Sequence, residues 1–196
     1  RLEPEMDLTA MSDEALALAF LAGCESAFDE LVRRHQGRVY AVAYRVTGNR
    51  EDALDAAQEA FVKAYRKLSS WQPRSWFVPW LLRLTVNQSI DLLRRQKRHR
   101  HSPLEDALAQ GEGAALQEAR TDDTRTRVEA NEIDSRVRRA LPVLSTAQRA
   151  VFVMRHYEGL PLADIAQAMG CTVGSVKVHL FRALRKLQAE LKDLYE

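Results

Sequence analysis

Cysteine is scarce: the 196 residues hold only Cys24 and Cys171, far apart, each inside an apolar helical pattern. That excludes a disulfide framework and a cysteine-based metal cluster. The five histidines, His35, His99, His101, His156 and His179, show no metal-ligand spacing, and the eight glycines form no phosphate-cradling loop. No nucleophile and base can be paired from sequence, so neither an enzyme nor a cofactor is expected. No apolar run approaches the ~18 residues of a membrane span, and the N-terminus lacks a basic region followed by an apolar stretch. The expectation is a cytoplasmic chain with no membrane insertion of its own. Strand-like alternation is lacking as well. A net charge of +2 is too small to signal nucleic acid, although local charge is strongly uneven.

What is present is helical periodicity. Val39, Val42, Ala43 and Val46 form one stripe; Leu54, Ala57, Phe61, Tyr65 and Leu68 a second; Phe77, Leu81 and Leu84 a third. Ser26, Asn49 and Ser75 are placed as N-caps, and Gly48 as a helix terminator. From Ser102 to Thr124 the pattern lapses, with Pro103, Gly111, Gly113 and six acids against one base, Arg120. Such composition reads as a flexible linker, whose contour of about 100 Å lets two modules reach sites nanometres apart. Periodicity returns at Ile133, Val137, Leu141 and Leu144, and Ser145 to Gln148 has the form of a capping box. The fold predicted is all-α: a helical domain over 1–101, an acidic linker over 102–128, and a second domain over 129–196. That second domain is of four-helix type.

Its sharpest feature lies between Leu160 and Leu187. Leu162, Ile165, Ala166 and Met169 form one stripe, Gly170-Cys171-Thr172 a turn, and Val173, Val176, Leu180, Leu184 and Leu187 a second stripe. Two short helices joined through glycine make a helix-turn-helix. Opposite the second stripe stand Ser175, Val178, Arg182 and Arg185, flanked by Lys177, His179 and Phe181. Arginine takes guanine bidentately, valine meets a thymine methyl, Ser175 and the free amides after the Thr172 cap hold phosphate, and Gly174 leaves room for close approach. A solvated basic face is the plainer alternative. Against it, no Asp or Glu occurs from Ile165 through Ala189, where surface helices usually mix signs.

In the first domain, Arg83, Asn87, Ile90, Asp91, Arg94 and Arg98 share one stripe of a helix running from Ser75 to Arg100. Five Lys/Arg and no acid lie between Leu92 and Leu104. A basic helix end beside an amide suits a nucleic-acid backbone with a base held nearby. The preceding loop, Ser69, Ser70, Trp71, Gln72, Pro73 and Arg74, can border a pocket for an unstacked base. Trp71, Trp76, Phe77 and Trp80, at helical spacing, read first as core. Glu51, Asp52, Asp55, Gln58 and Glu59 make an acidic and amide face, which either meets a partner or satisfies the helix dipole. Periodicity does not choose between these.

Four strings, in order, resemble the extracytoplasmic-function sigma factors of RNA polymerase: Ala27 to Val32; Asp55 to Tyr65; Trp80-Leu81-Leu82-Arg83 with Asn87, Asp91, Arg94 and Arg95; and Ile165 to Leu187. The resemblance covers the chain from about residue 12 onward. It implies that Asp55, Gln58 and Glu59, with neighbours such as Asp52 and Lys63, meet the clamp of core RNA polymerase. It implies that Arg83, Asn87 and the Ser69 to Arg74 loop, with the basic stripe through Arg94, Arg95 and Arg98, handle the melted −10 element. The helix after Thr172 would read the −35 duplex. An anti-sigma partner is implied too. Val178-His179 departs from the family's usual small polar residue followed by a base, so the −35 preference is not transferable. The competing reading from a different class is a dimeric helix-turn-helix regulator whose first domain senses a ligand.

Overall fold

The computed structural model describes residues 7–72, 76–100 and 126–192, with the backbone alone at 99–100 and 126–132. The described residues form eight α-helices without a strand: α1 (Asp13–Leu21), α2 (Glu25–Thr47), α3 (Arg50–Lys67), α4 (Phe77–Arg100), α5 (Thr126–Ala140), α6 (Thr146–Phe152), α7 (Leu162–Met169) and α8 (Val173–Glu190). Among the described residues no helix is long and apolar enough to cross a membrane. The acidic segment lies outside the described residues up to 125; α5 begins at Thr126, inside the expected linker.

Local chemistry sets most helix ends. Asn49 accepts from the Asp52 amide at 2.8 Å and opens α3, directly after Gly48 (φ 85°) has ended α2 in the left-handed region that glycine enters without strain. Ser145 and Gln148 close the reciprocal capping box of α6. Gly170 (φ 61°) ends α7, and Thr172 caps α8 by accepting from the Ser175 amide at 3.1 Å. Ser26 is not a cap. The turn through Gly23 starts α2 at Glu25, behind Cys24, and the Ser26 hydroxyl meets the Cys24 thiol at 3.3 Å instead. Ser75 lies outside the described residues, and the amide of Phe77 donates to the Glu14 carboxylate at 3.2 Å, so α1 supplies a cap for α4.

Helices α1–α4 form the first unit. Arg34 clips its N-terminal edge by donating to the carbonyls of Leu8, Thr9 and Met11 while pairing with Glu30 and Asp13. The inner face of α3 corrects the expected stripe. Ala53, Ala56, Ala57, Ala60 and Ala64 are the buried residues, whereas Leu54 (43 %), Val62 (42 %) and Tyr65 (48 %) are exposed. Small side chains let the α3 backbone come close to α2 and α4, and this leaves no room inside for the large ones.

Helices α5–α8 form the second unit, around Leu141, Leu144, Phe152, Ala183 and Leu187. On α8 the buried positions are Val176, Ala183 and Leu187; Val173 and Leu184, expected inside, stand exposed at its edges. Between α6 and α7 the helix widens into a π-turn, Val153–Tyr157, closed by the Glu158 amide donating to the Val153 carbonyl at 3.2 Å.

The two units pack on one another. Val42 and Val46 of α2 and Leu82, Val86 and Ile90 of α4 share a core with Val151, Met154, Leu160 and Ile165. Polar groups line the seam. Arg149 donates to the carbonyls of Leu141 (3.0 Å), Leu144 (3.4 Å) and Val46 (3.1 Å), the last across the seam. Arg38 pairs with Glu158 at 2.8 Å. Arg45 lies 4.2 Å over the ring of Tyr157.

Two outcomes follow for stability. Ala60→Leu should destabilise the first unit by about 1 to 3 kcal/mol through overpacking, and Leu54→Ala should change stability by no more than about 0.5 kcal/mol. Chemical denaturation of both variants checks this, and an unshifted Ala60→Leu midpoint contradicts the close approach. The Arg33 and Arg34 guanidiniums, bonded to Glu30, hold its carboxyl down at about 2, against an ordinary 4.5. A depressed carboxylate stabilises the fold above its unfolded value and loses that contribution as pH falls from about 4.5 to about 2. The stability gap between wild type and Glu30→Gln should therefore narrow over that window, as thermal melts at stepped pH will show.

Candidate nucleic-acid interface

The turn at Gly170 orients α8 so that Val176, Ala183 and Leu187 face inward. Lys177, Val178, Phe181, Arg182 and Arg185 are thereby exposed together, Phe181 at 62 %. The Arg185 guanidinium sits 6.0 Å from the Phe181 ring, which steadies a long side chain against an apolar plate. Ser175 is half-buried and its hydroxyl lies 3.0 Å from that of Thr172, so both belong to the cap. His179 is also half-buried, with Nδ1 enclosed and no partner among the described residues. At Gly174 an added Cβ would meet only the Thr172 hydroxyl, at 3.6 Å. Nothing within the fold demands glycine at that exposed position. The first turn of α8 carries no acid, leaving its amides and positive dipole end open to an anion.

On α4 the expected stripe divides. Asp91, Arg94, Arg95 and Arg98 are exposed, and with Lys63 and Lys97 they line a surface hollow of about 820 Å³. Arg83 and Asn87 are half-buried nearer the start of the helix. Ile90 is in the core shared by the two units, so its side chain does not reach solvent in this arrangement. In the preceding loop Ser69, Ser70 and Gln72 are exposed, and the Ser70 hydroxyl donates to the Lys67 carbonyl at 2.6 Å. Trp71 is buried edge-on to Phe77, with ring centres 6.1 Å apart, and serves the core. Arg74 lies outside the described residues. Trp76, expected in the core, is the opposite case, with 76 % exposure.

On α3, Asp55, Gln58 and Glu59 are exposed side by side. Asp52 is not with them. It is buried and accepts from the amide groups of Asn49 and Gln96, tying the start of α3 to the end of α4. Lys63 belongs with the basic hollow. The residues that sequence reasoning missed are Leu54, Val62 and Tyr65, which make the acidic face amphipathic. The signal available was the alanine stripe on the other side of the helix. Among the described residues no group of His, Cys, Asp and Glu is arranged to hold a metal.

Comparison with known proteins bears on both units. The family model of sigma-70 region 2 matches residues 31–99, and that of sigma-70 region 4 matches 134–187. The RNA polymerase sigma-H factor of Pseudomonas aeruginosa is 32 % identical, over 95 % of this chain and 97 % of its own length. The ECF RNA polymerase sigma factor SigM of Mycobacterium tuberculosis is 35 % identical, over 90 % of this chain and 83 % of its own. Among solved structures, CnrH in complex with the cytosolic domain of CnrY is 28 % identical with a TM-score of 0.59, covering 92 % of this chain and 97 % of that one. The sigma factor RpoE of Bartonella quintana, solved with the anti-sigma factor NepR, is 23 % identical with a TM-score of 0.64, covering 84 % and 96 %, and shows the same fold.

Proposed function

The chain belongs to the extracytoplasmic-function group of sigma-70 RNA polymerase sigma factors, and on that premise we propose how its surfaces divide the work of promoter recognition. The chain binds core RNA polymerase, directs it to −35 and −10 promoter elements and helps to melt the DNA, without chemistry of its own. The observation that carries this reading is the acid-free outer face of α8, presented by a helix-turn-helix whose cap and inner stripe are satisfied within the fold. Nothing structural requires Lys177, Arg182 and Arg185 there. Duplex DNA does: the arginines suit guanine edges, Val178 a thymine methyl, and Lys177 with the amides after Thr172 a phosphate. The bare Gly174 lets the duplex backbone approach the helix start.

In this reading the region 1–101 handles the polymerase clamp and the −10 element, and 129–196 handles the −35 element. The hollow lined by Arg94, Arg95, Lys97, Arg98 and Lys63 supplies sequence-independent attraction for a strand. Asn87, a donor and acceptor amide, reads an extruded base beside Arg83. The α3 face docks on polymerase, where Leu54, Val62 and Tyr65 supply apolar area and Asp55, Gln58 and Glu59 set the orientation. A second protein of anti-sigma type controls access, as NepR does in its complex with RpoE. The dimeric-regulator alternative assigned the first unit to ligand sensing. The match of residues 31–99 to region 2 leaves that assignment without support.

Two measurements separate these roles. Arg182→Ala should cost about 1 to 3 kcal/mol of discrimination at one −35 base pair, and Asn87→Ala should relax one −10 position. Arg94→Ala, by contrast, should weaken all promoters alike and flatten the salt dependence. Run-off transcription from promoter libraries distinguishes them, and uniform losses for all three variants would sink the assignment of reading residues. Reversing Asp55 and Glu59 together should lower affinity for core polymerase while the thermal midpoint stays put. Unchanged affinity in that folded double variant would remove α3 from the polymerase surface.

A further inference from the structure

The seam between the two units covers some functional surfaces and leaves others open. The outer face of α3 and the basic face of α8 are both exposed. The start of α4 is not free in the same way. Leu82, Val86 and Ile90 are buried against the second unit. Arg83, with Trp76, Pro79 and Trp80, shares a cleft of about 260 Å³ with Leu160, Asp164 and Gln167 from the other side of the seam. Asp164 is the acid lining that cleft, so a carboxylate from α7 stands in the same space as the Arg83 guanidinium, where a strand phosphate would otherwise lie.

We propose that the packed arrangement is a self-masked state: the polymerase-binding and duplex-reading faces are available, while the −10-reading start of α4 is covered by α7 until the units part. This rests on the assignment of α4 to the −10 element. The latch is polar and separable from both reading faces. Its charged element is Arg38 with Glu158, 120 residues apart at 2.8 Å; the Glu158 side chain is 5 % exposed and that of Arg38 is 47 % exposed. Arg149 on the Val46 carbonyl and Arg45 over Tyr157 complete it. Breaking the ion pair leaves a carboxylate facing an apolar seam, which favours separation. The masked fraction lowers the apparent affinity for a −10 strand in proportion to its population. Polymerase can thus dock through α3 first, and −10 reading is licensed afterwards.

The test uses the full chain without polymerase, and a labelled single-stranded oligonucleotide of the −10 sequence that the holoenzyme selects from a randomised library. Arg38→Glu and Glu158→Arg should each raise the radius of gyration in small-angle scattering and tighten oligonucleotide binding several-fold. The double variant Arg38→Glu/Glu158→Arg should bring both back toward wild type. If Glu158→Arg does not fold, Arg38→Ala gives the same comparison at a half-exposed site. A wild-type chain already extended in solution overturns the proposal. So do reversals that open the chain without any gain in oligonucleotide affinity, provided that Arg83→Ala still relaxes −10 selection in the holoenzyme. If Arg83→Ala changes nothing in the holoenzyme, the assignment of α4 itself falls, and the masking with it.

Discussion

The guanidinium of Arg149 is a cation taken largely out of water, and burial pushes its pKa down from the ordinary arginine value, with no carboxylate among the described residues offsetting it. What holds it is backbone. Three carbonyls from three segments, Val46, Leu141 and Leu144, converge on one planar fork. Hydrogen bonds to a charged group contribute about 1.5 to 3 kcal/mol each, and the last turn of α2 adds the negative end of a helix dipole. Gly48 sits against this group: a Cβ there would come within 3.3 Å of Arg149 Nη1, and its φ of 85° is left-handed besides. The end of α2, the start of α6 and the placement of the two units are therefore one arrangement. Changing any part of it moves the others.

With the seam fixed in this way, the first unit has distinct surfaces and each uses a different chemistry. The inner face of α3 is alanine, so close helix contact is obtained with little side-chain volume. The larger apolar residues of α3 are turned outward among acids, where a protein partner can cover them. The far end of α4 concentrates guanidinium and ammonium groups that a packed interior would not tolerate. Its beginning is rich in aromatic and aliphatic groups that the second unit covers. Apolar residues turned outward on α3 are thus a feature of a chain made to be bound, and they do not mark poor packing.

Much of this was legible in the sequence because much of it is local. Asn49, Ser145 with Gln148, Thr172, Gly48 and Gly170 act within a few residues of themselves, and each stands where its chemistry predicts. The helix-turn-helix was equally readable, since its spacing encodes its geometry. What failed depended on distant neighbours or on volume. Ser26 lost its cap position to a turn set by Gly23. The stripe through Leu54, Phe61 and Tyr65 has helical period, yet the period does not tell an inward face from a partner-facing one. Trp71 and Trp76 look alike in sequence, and only the fold buries one and exposes the other. Ile90 and Asp52 were assigned by stripe membership, and packing drew both inside. The contacts of Arg38 with Glu158 and of Arg149 with Val46 span more than a hundred residues and leave no periodic trace.

The π-turn at Val153–Tyr157 has a consequence of its own. A π-turn carries one residue more than the α-helical path it interrupts, and such insertions shift the angular phase of everything that follows by about 100°. Here the residues that follow are Tyr157 and Glu158, the two that meet Arg45 and Arg38. Excising a single residue from this turn would restore a regular helix and swing both side chains about a quarter of a revolution away from α2. Helix α7 would then emerge on a different bearing. In this chain a gap of one residue in a helix works as a rotary index, and it fixes which way the second unit faces the first.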